Sequence, residues 1–370
     1  MSSTDRRRTG HRRLITSCAV LAVGVLGMTA CSSSSSSKTN ASGSGGSCGT
    51  ATKKLNMGVV YADSTQNPFQ EMALGAQEAA KEDGNVKLTS SAPSGINNSQ
   101  EVTLFQSVAR QATDGVAYES VAPDLFTRAL KDATGNGTPV VAVDAPPPAG
   151  SGVNTFVANS NTLLGELLGQ AFVDAKPDPN GTVVLGNDIP SLTLLGLRLQ
   201  GVQNVLKAKL PQMKVVGPLN SGSTTNENYT LWKSIVNSHS GAAGYIGVGG
   251  QDGVSLPLIE KQTGANFLIG SADIPPEALQ SVKDGKVFAL SSPEHWMKGY
   301  IAMYLLIHAK RTCTAVPQGW WNSGNLLITK SNIDAILARQ VSPDTRAQFF
   351  KAEIAKQLAS PPIQPMNAAN

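Results

Sequence analysis

Leu55-Asn56-Met57-Gly58-Val59-Val60-Tyr61 is the stretch on which the fold turns. It is a short apolar run of strand-forming residues. A polar loop follows over 62–68. The apolar spacing then becomes helical over 69–83, with Met72, Ala76, Ala79 and Ala80 on one face and Gly84 as the stop. A second strand is expected over 86–90. A strand, a helix and a strand in this order make a crossover unit, so the two strands should lie side by side and parallel.

The alternation continues in both directions of the argument. A helix is expected over 98–112, with Val102, Phe105, Val108 and Ala109 on one face. Strands are expected over 114–118 and 139–143, with a helix over 123–134 between them. After a break the pattern repeats: helices over 163–175, 194–210, 228–238, 256–262 and 276–283, and strands over 182–185, 214–217, 244–248, 267–270 and 287–290. Two similar α/β halves imply two lobes, and a body of this length is long for a single core. In sheets of this kind, ligands bind beyond the carboxyl ends of the strands, which for facing lobes is the cleft between them.

The chain begins differently. Arg6, Arg7, Arg8, Arg12 and Arg13 precede an apolar run over 14–30 that ends in Met28-Thr29-Ala30-Cys31 and a run of serines. This is read as a lipoprotein signal peptide, 1–30, cut before Cys31, whose sulfur takes a lipid. The segment 31–52, rich in Ser and Gly, cannot bury enough apolar area to offset its ordering entropy and is expected to be a flexible linker. The whole chain has 30 basic and 26 acidic residues; removing 1–30, with five arginines and one aspartate, leaves 25 of each. A mature chain without net charge has no field to attract nucleic acid. The expected location is extracytoplasmic, held to the cell membrane by the lipid on Cys31. Cys48 and Cys313 remain in an oxidising compartment and are a possible disulfide.

Catalytic signatures are missing. His11, His239, His295 and His308 have no partners at metal-ligand spacing, and there is no Gly-x-Ser-x-Gly turn or phosphate loop. Gly247-Val248-Gly249-Gly250-Gln251-Asp252-Gly253 falls short of a dinucleotide fingerprint, because Asp252 stands where the third glycine is needed. No enzyme activity, cofactor or metal is expected.

Several strand-end motifs occur in register. Gly58-Val59-Val60 leads to Asn67-Pro68-Phe69 and Gly75-Ala76-Gln77-Glu78-Ala79-Ala80. Thr113-Asp114-Gly115-Val116 opens the third strand, and Gly137-Thr138-Pro139-Val140-Val141-Ala142-Val143-Asp144 forms the fourth. Lys283-Asp284-Gly285-Lys286-Val287, Gly299-Tyr300-Ile301-Ala302 and Leu327-Ile328-Thr329-Lys330-Ser331-Asn332 close the set. In this order they resemble the sugar-binding proteins of the ribose/galactose type, the type I substrate-binding subunits of ABC importers. The resemblance implies two hinged Rossmann-like lobes with parallel sheets and a ligand cleft between them. It places the crossings near Asn159, Ser292 and Gly324. The N-terminal lobe would be 53–158 plus 293–323, the C-terminal lobe 159–292 plus 324–345, and 346–370 a C-terminal tail.

The same resemblance supplies a site. Asn67 and Phe69 match the first loop, Asp144 an acid that accepts from ligand hydroxyls, and Gln251 with Asp252 a polar pair in the second lobe. Asp273 matches a further acid, Arg198 lies near a family arginine, and Trp296 lies at the last crossing. The position after Phe69 is Gln70 and that after Asp144 is Ala145, both departures from the ribose pattern. Trp320 and Trp321 are expected to pack beneath the linker. The function implied is capture of a small neutral sugar or polyol by a monomer that delivers it to a membrane permease of an ABC importer. Alternatives are a sensor presenting the solute to a membrane receptor, or a surface enzyme.

Overall fold

The computed structural model describes residues 50–369. The first run of elements is β1 (Leu55–Val60), α1 (Asn67–Asp83), β2 (Val86–Ser91), α2 (Asn98–Gln111), β3 (Gly115–Glu119), α3 (Thr127–Gly135), β4 (Val140–Val143) and β5 (Thr155–Ala158). The five strands pair in parallel, β2 beside β1, then β3, β4 and β5. The mostly apolar, buried runs of β1, β3, β4 and β5 follow from helices covering both faces, while the edge strand β2 is largely polar. The chain then leaves this sheet for a second: α4 (Asn161–Asp174), β6 (Thr182–Asn187), α5 (Thr193–Lys209), β7 (Lys214–Asn220), α6 (Thr225–Ser238), β8 (Gly244–Gly247), α7 (Asp252–Thr263), β9 (Leu268–Ala272), α8 (Pro276–Lys283) and β10 (Ala289–Ser292).

It returns with α9 (His295–Thr312) and β11 (Gly319–Asn322), which pairs in parallel with β5. It goes back again with β12 (Leu326–Ile328), antiparallel to β10, and α10 (Ile333–Arg339). Residues 346–370 were expected as a tail; the described part, 346–369, instead rejoins the first lobe. Helix α11 (Pro343–Ala359) buries Phe350 and Ile354 in the core that contains Trp296, and β13 (Ile363–Gln364) pairs antiparallel with β11. Among the described residues the chain therefore passes between the sheets four times. The architecture is α/β with two mostly parallel sheets, of seven and six strands, as the resemblance implied.

The crossings are tied to one another. Asn159 Nδ2 donates to Asn325 Oδ1 at 2.9 Å, and Asn325 Nδ2 to the Ser160 carbonyl at 3.1 Å. At the second crossing Glu294 accepts two bonds from Arg339, at 2.7 and 3.1 Å, which reaches it from the fourth crossing. The same guanidinium lies over Phe349 and Phe350, at 4.8 and 5.0 Å from the ring centres. Gln340 and Arg346 meet the buried carboxylate of Glu71 on α1.

Each lobe rests on a pair of helices that cross at glycine. A Cβ on Gly75 of α1 would lie 1.9 Å from the Trp296 carbonyl oxygen, and one on Gly299 of α9 1.9 Å from that of Met72. In the second lobe Gly165 of α4 faces the Arg198 carbonyl at 1.8 Å, and Gly201 of α5 that of Thr162 at 2.1 Å. The backbones can approach this closely only without side chains.

Trp320 and Trp321 lie on β11. Trp320 stacks on Phe156 and donates to the Ala158 carbonyl, and Trp321 donates to Gln357 of α11. They are core residues of the first lobe. Cys313, the C-cap of α9, is disulfide-bonded. The expectations for the signal peptide, for Cys31 and for Cys48 fall outside the described residues.

Candidate functional site

The strand ends of the two lobes face each other across a cavity of about 40 Å³. From the first lobe come Gln66, Pro68, Phe69, Glu119 and Asp144; from the second, Asp188, Arg198, Gly249, Gly250 and Asp273. His295, the first residue of α9, closes the set at a crossing.

The first loop is shaped by Asp63, which is buried. Its carboxylate accepts from the Thr65 and Gly95 amides, at 2.7 and 3.0 Å, and from the Gln66 side chain at 2.9 Å. The turn that presents Gln66 to Phe69 is thereby fixed to the turn after β2. Asp144 and Asp273 each directly follow a strand, β4 and β9, and both have left-handed backbones, φ 69° and 62°. Glu294 at the second crossing does too, φ 52°. Such conformations carry a cost and tend to gather where a site over-determines them.

The cluster below the cavity is charged but internally matched. Lys298, buried on α9, pairs with Asp144. Asp273 accepts from His295 Nε2 at 3.0 Å and lies 3.7 Å from Arg198 Nη1. A carboxylate can only accept, so Nε2 carries the proton. Arg198 also donates to Asn161 and to the Val248 carbonyl, each at 2.9 Å. His295 thus links the first-lobe helix α9 to a second-lobe acid, and its Nδ1 lies 3.9 Å from Asp144 without a hydrogen-bond partner.

Burial works against ionisation of Asp144, but Lys298, His295 and Arg198 overcome it and hold its pKa at about 2. For Asp273 burial is likewise outweighed, first by Arg198 and then by His295, and its pKa is lowered. Burial pushes the Lys298 ammonium below the usual lysine range even with Asp144 beside it. Asp188 behaves oppositely. Burial, reinforced by Asp252 and Asp273, raises it well above the carboxylic-acid range, so it is held as a neutral acid. Its Oδ1 is buried and unpartnered. Glu119 is raised by burial and by Glu101 and Asp144, and is neutral as well. Around the cavity, Asp144 is paired with Lys298, and Asp273 with His295 and Arg198.

Of the residues singled out in the sequence, Phe69, Asp144, Arg198 and Asp273 line the cavity. Asn67 lies between two lining residues, at the first position of α1, and its Oδ1 is buried without a partner. Asp252 does not line it. It accepts from Asn228, Trp232 and the Gly249 amide, at 2.8, 2.6 and 2.9 Å, and so holds the turn between β8 and α7. Gln251, the N-cap of α7, bonds Thr225 at 3.2 Å and does not line it either. Trp296 is turned away, stacked between Phe350 and Tyr300 at 4.9 and 5.4 Å.

The glycines that mimic a nucleotide fingerprint have another use. A Cβ on Gly247 would sit 2.2 Å from the Asp252 carboxyl, and one on Gly249 1.8 Å from that of Asp188. They seat two acids. Asp188, Glu119, His295 and Lys298 escaped the sequence reading. Asp188 had a signal, since it directly follows strand β6 as Asp144 follows β4. Among the described residues there is no group of His, Cys, Asp and Glu able to hold a metal ion.

Comparison with known proteins fits this geometry. Residues 57–311 match the family model described as periplasmic binding protein domain. A curated relative, the xylose/arabinose-binding protein XylF of Sulfolobus acidocaldarius, is 24% identical over 299 residues, covering 74% of this chain and 71% of the relative. Among solved structures, GanP, a glucose-galactose binding protein from Geobacillus stearothermophilus, superposes with a TM-score of 0.67 at 20% identity. The match covers 75% of this chain and 98% of GanP. A periplasmic solute binding protein of an ABC transporter from Actinobacillus succinogenes, with bound D-allose, gives 0.70 at 18% identity over 76% and 99%. The chain belongs to the periplasmic binding protein domain family, whose members bind solutes and do not transform them.

Proposed function

We propose that this protein captures a small neutral sugar or polyol outside the cytoplasmic membrane and delivers it to an ABC-type permease. The observation that carries the reading is the charge-matched cluster at the facing strand ends. Its ionised members are already paired, while Asn67 Oδ1, Asp188 Oδ1 and His295 Nδ1 are buried and unpartnered. Unsatisfied buried polar atoms are costly, and a guest rich in hydroxyls supplies donors and acceptors to all three without bringing charge. The sugar-binding names of the relatives support the same class of guest. The Asp273–His295 bond joins the lobes beside the cavity, so closure and binding are coupled there.

The finer parts of the reading are anchorage by a lipid on Cys31, a monomeric body and a tether formed by the Ser/Gly-rich segment. A thermal-shift screen of sugars and polyols tests the central claim. Binding to the folded state alone raises the melting temperature with ligand concentration. Absence of any shift across neutral hexoses, pentoses and polyols at millimolar concentration defeats it. Mass spectrometry of the N-terminal peptide from membranes tests the anchor, which is lost on Cys31→Ser.

A further inference from the structure

We infer that the guest of this cleft is a monosaccharide with a hydrocarbon edge, in the first instance a 6-deoxyhexose. The inference rests on the sugar-binding reading above. Its basis is a gradient of chemistry with depth. The polar lining is deep: Asp144, Asp188, Asp273, Arg198 and His295 are each no more than 7% exposed. The half-buried lining, nearer to solvent, is Gln66, Pro68 and Val121 from the first lobe and Ile189, Leu192 and Gly250 from the second, so its second-lobe side is apolar. Leu194 and Leu195 extend the second-lobe wall inward.

That wall is a fixed turn. The Ile189 amide donates to Asn187 Oδ1, the Leu192 amide to the Ile189 carbonyl and the Leu195 amide to the Leu192 carbonyl, at 3.1, 2.9 and 3.1 Å. Phe69 is the aromatic residue that lines the cavity, and the wall contributed by the other lobe is aliphatic. Trp296, the other aromatic near this crossing, is committed to Phe350. A sugar held by its ring hydroxyls at the deep acids therefore turns its remaining edge toward Ile189 and Leu192. A hydroxyl there loses water and gains no partner, whereas a methyl group gains apolar contact.

Isothermal titration of the full mature chain with matched pairs tests this: D-fucose with D-galactose, D-quinovose with D-glucose, and L-rhamnose with L-mannose. D-xylose and L-arabinose complete the panel. The tightest ligand should be a 6-deoxyhexose, bound at least fivefold more tightly than its 6-hydroxy partner, within the range expected for one small apolar group in a hydrophobic pocket. Replacing the half-buried Ile189 and Leu192 together by serine should bring that ratio below twofold. A tightest ligand that is a pentose or a 6-hydroxy hexose, a ratio under fivefold, or a ratio that survives the double substitution overturns the inference and leaves sugar binding intact. Absence of binding by every sugar overturns both.

Discussion

Replacing Lys298 by methionine isolates the charge balance at the bottom of the cleft. The pair it forms with Asp144 is buried on both sides, Lys298 fully and Asp144 to 7% exposure. The lowering of Asp144 from its ordinary 3.8 to about 2 favours the folded state at neutral pH by roughly 2 kcal/mol. Lys298 is shifted the other way in its energetic effect, since burial lowers its pKa and so disfavours its charged form. The Lys298 shift therefore opposes the gain from Asp144, and the cost that can be read lies in breaking the pair. Lys298→Met strands a buried carboxylate and should destabilise by about 3–5 kcal/mol in urea titration at pH 7. Asp144→Asn tolerates the left-handed backbone and strands the ammonium instead. The double variant removes both charges and should recover at least about 2 kcal/mol relative to the sum of the single changes. The pH dependence has a definite sign. In the native protein the depressed Asp144 stabilises above about pH 4, and this is lost as pH falls toward 2. In Lys298→Met the carboxylate has lost its principal counter-charge and its pKa rises, so the deficit shrinks on acidification from pH 7 to pH 4. Additive single changes, or a deficit that grows on acidification, refute the reasoning.

Glu101 on α2 is raised by burial to about 8, against which its bond from Ser120 is a smaller effect. An acid raised in the folded state costs nothing below its unfolded pKa near 4.5 and its full penalty above 8, so Glu101→Gln should raise the melting temperature at pH 8.5 and leave it unchanged at pH 4. Gly75→Ala and Gly165→Ala force apart α1–α9 and α4–α5 and should each cost about 1–3 kcal/mol in chemical denaturation; a neutral effect contradicts the close crossings. Phe69→Ala should weaken the tightest sugar at least tenfold in titration calorimetry, whereas Trp296→Phe should change affinity less than threefold, because its ring faces Phe350 rather than the cavity.

The strand and helix alternation of residues 55 to 292 could be read because each element carries its own period, except for β5, which fell in what was read as a break. The runs around Val59 and Val141 are continuous and apolar, as strands covered on both faces must be, and Met72 and Phe105 mark one-sided helices. The closing quarter could not be read that way. Helix α9 is buried over most of its surface, so no polar face singles out Lys298 and His295 as the side chains that reach the cleft. Strand β11 is four residues long, and α11 buries few positions, among them Phe350, Ile354 and Gln357, which is too sparse a stripe to distinguish it from a tail. Within the site, Asp144 and Asp273 were legible through the family resemblance, and both directly follow strands in the structure. Asp252, the first residue of α7, was named on the same ground, yet donors from Asn228, Trp232 and Gly249 consume its oxygens. Position along the chain cannot reveal which acid is spoken for by its own neighbours.

The four passages between the sheets have a mechanical corollary. A body hung on one or two ribbons can bend, wring and slide; four ribbons, stapled by Arg339 and Asn325, suppress wringing and sliding and leave a single swing. The unoccupied protein then samples few misaligned postures. Little disorder has to be surrendered when the jaws meet, and a modest set of contacts suffices to hold them shut.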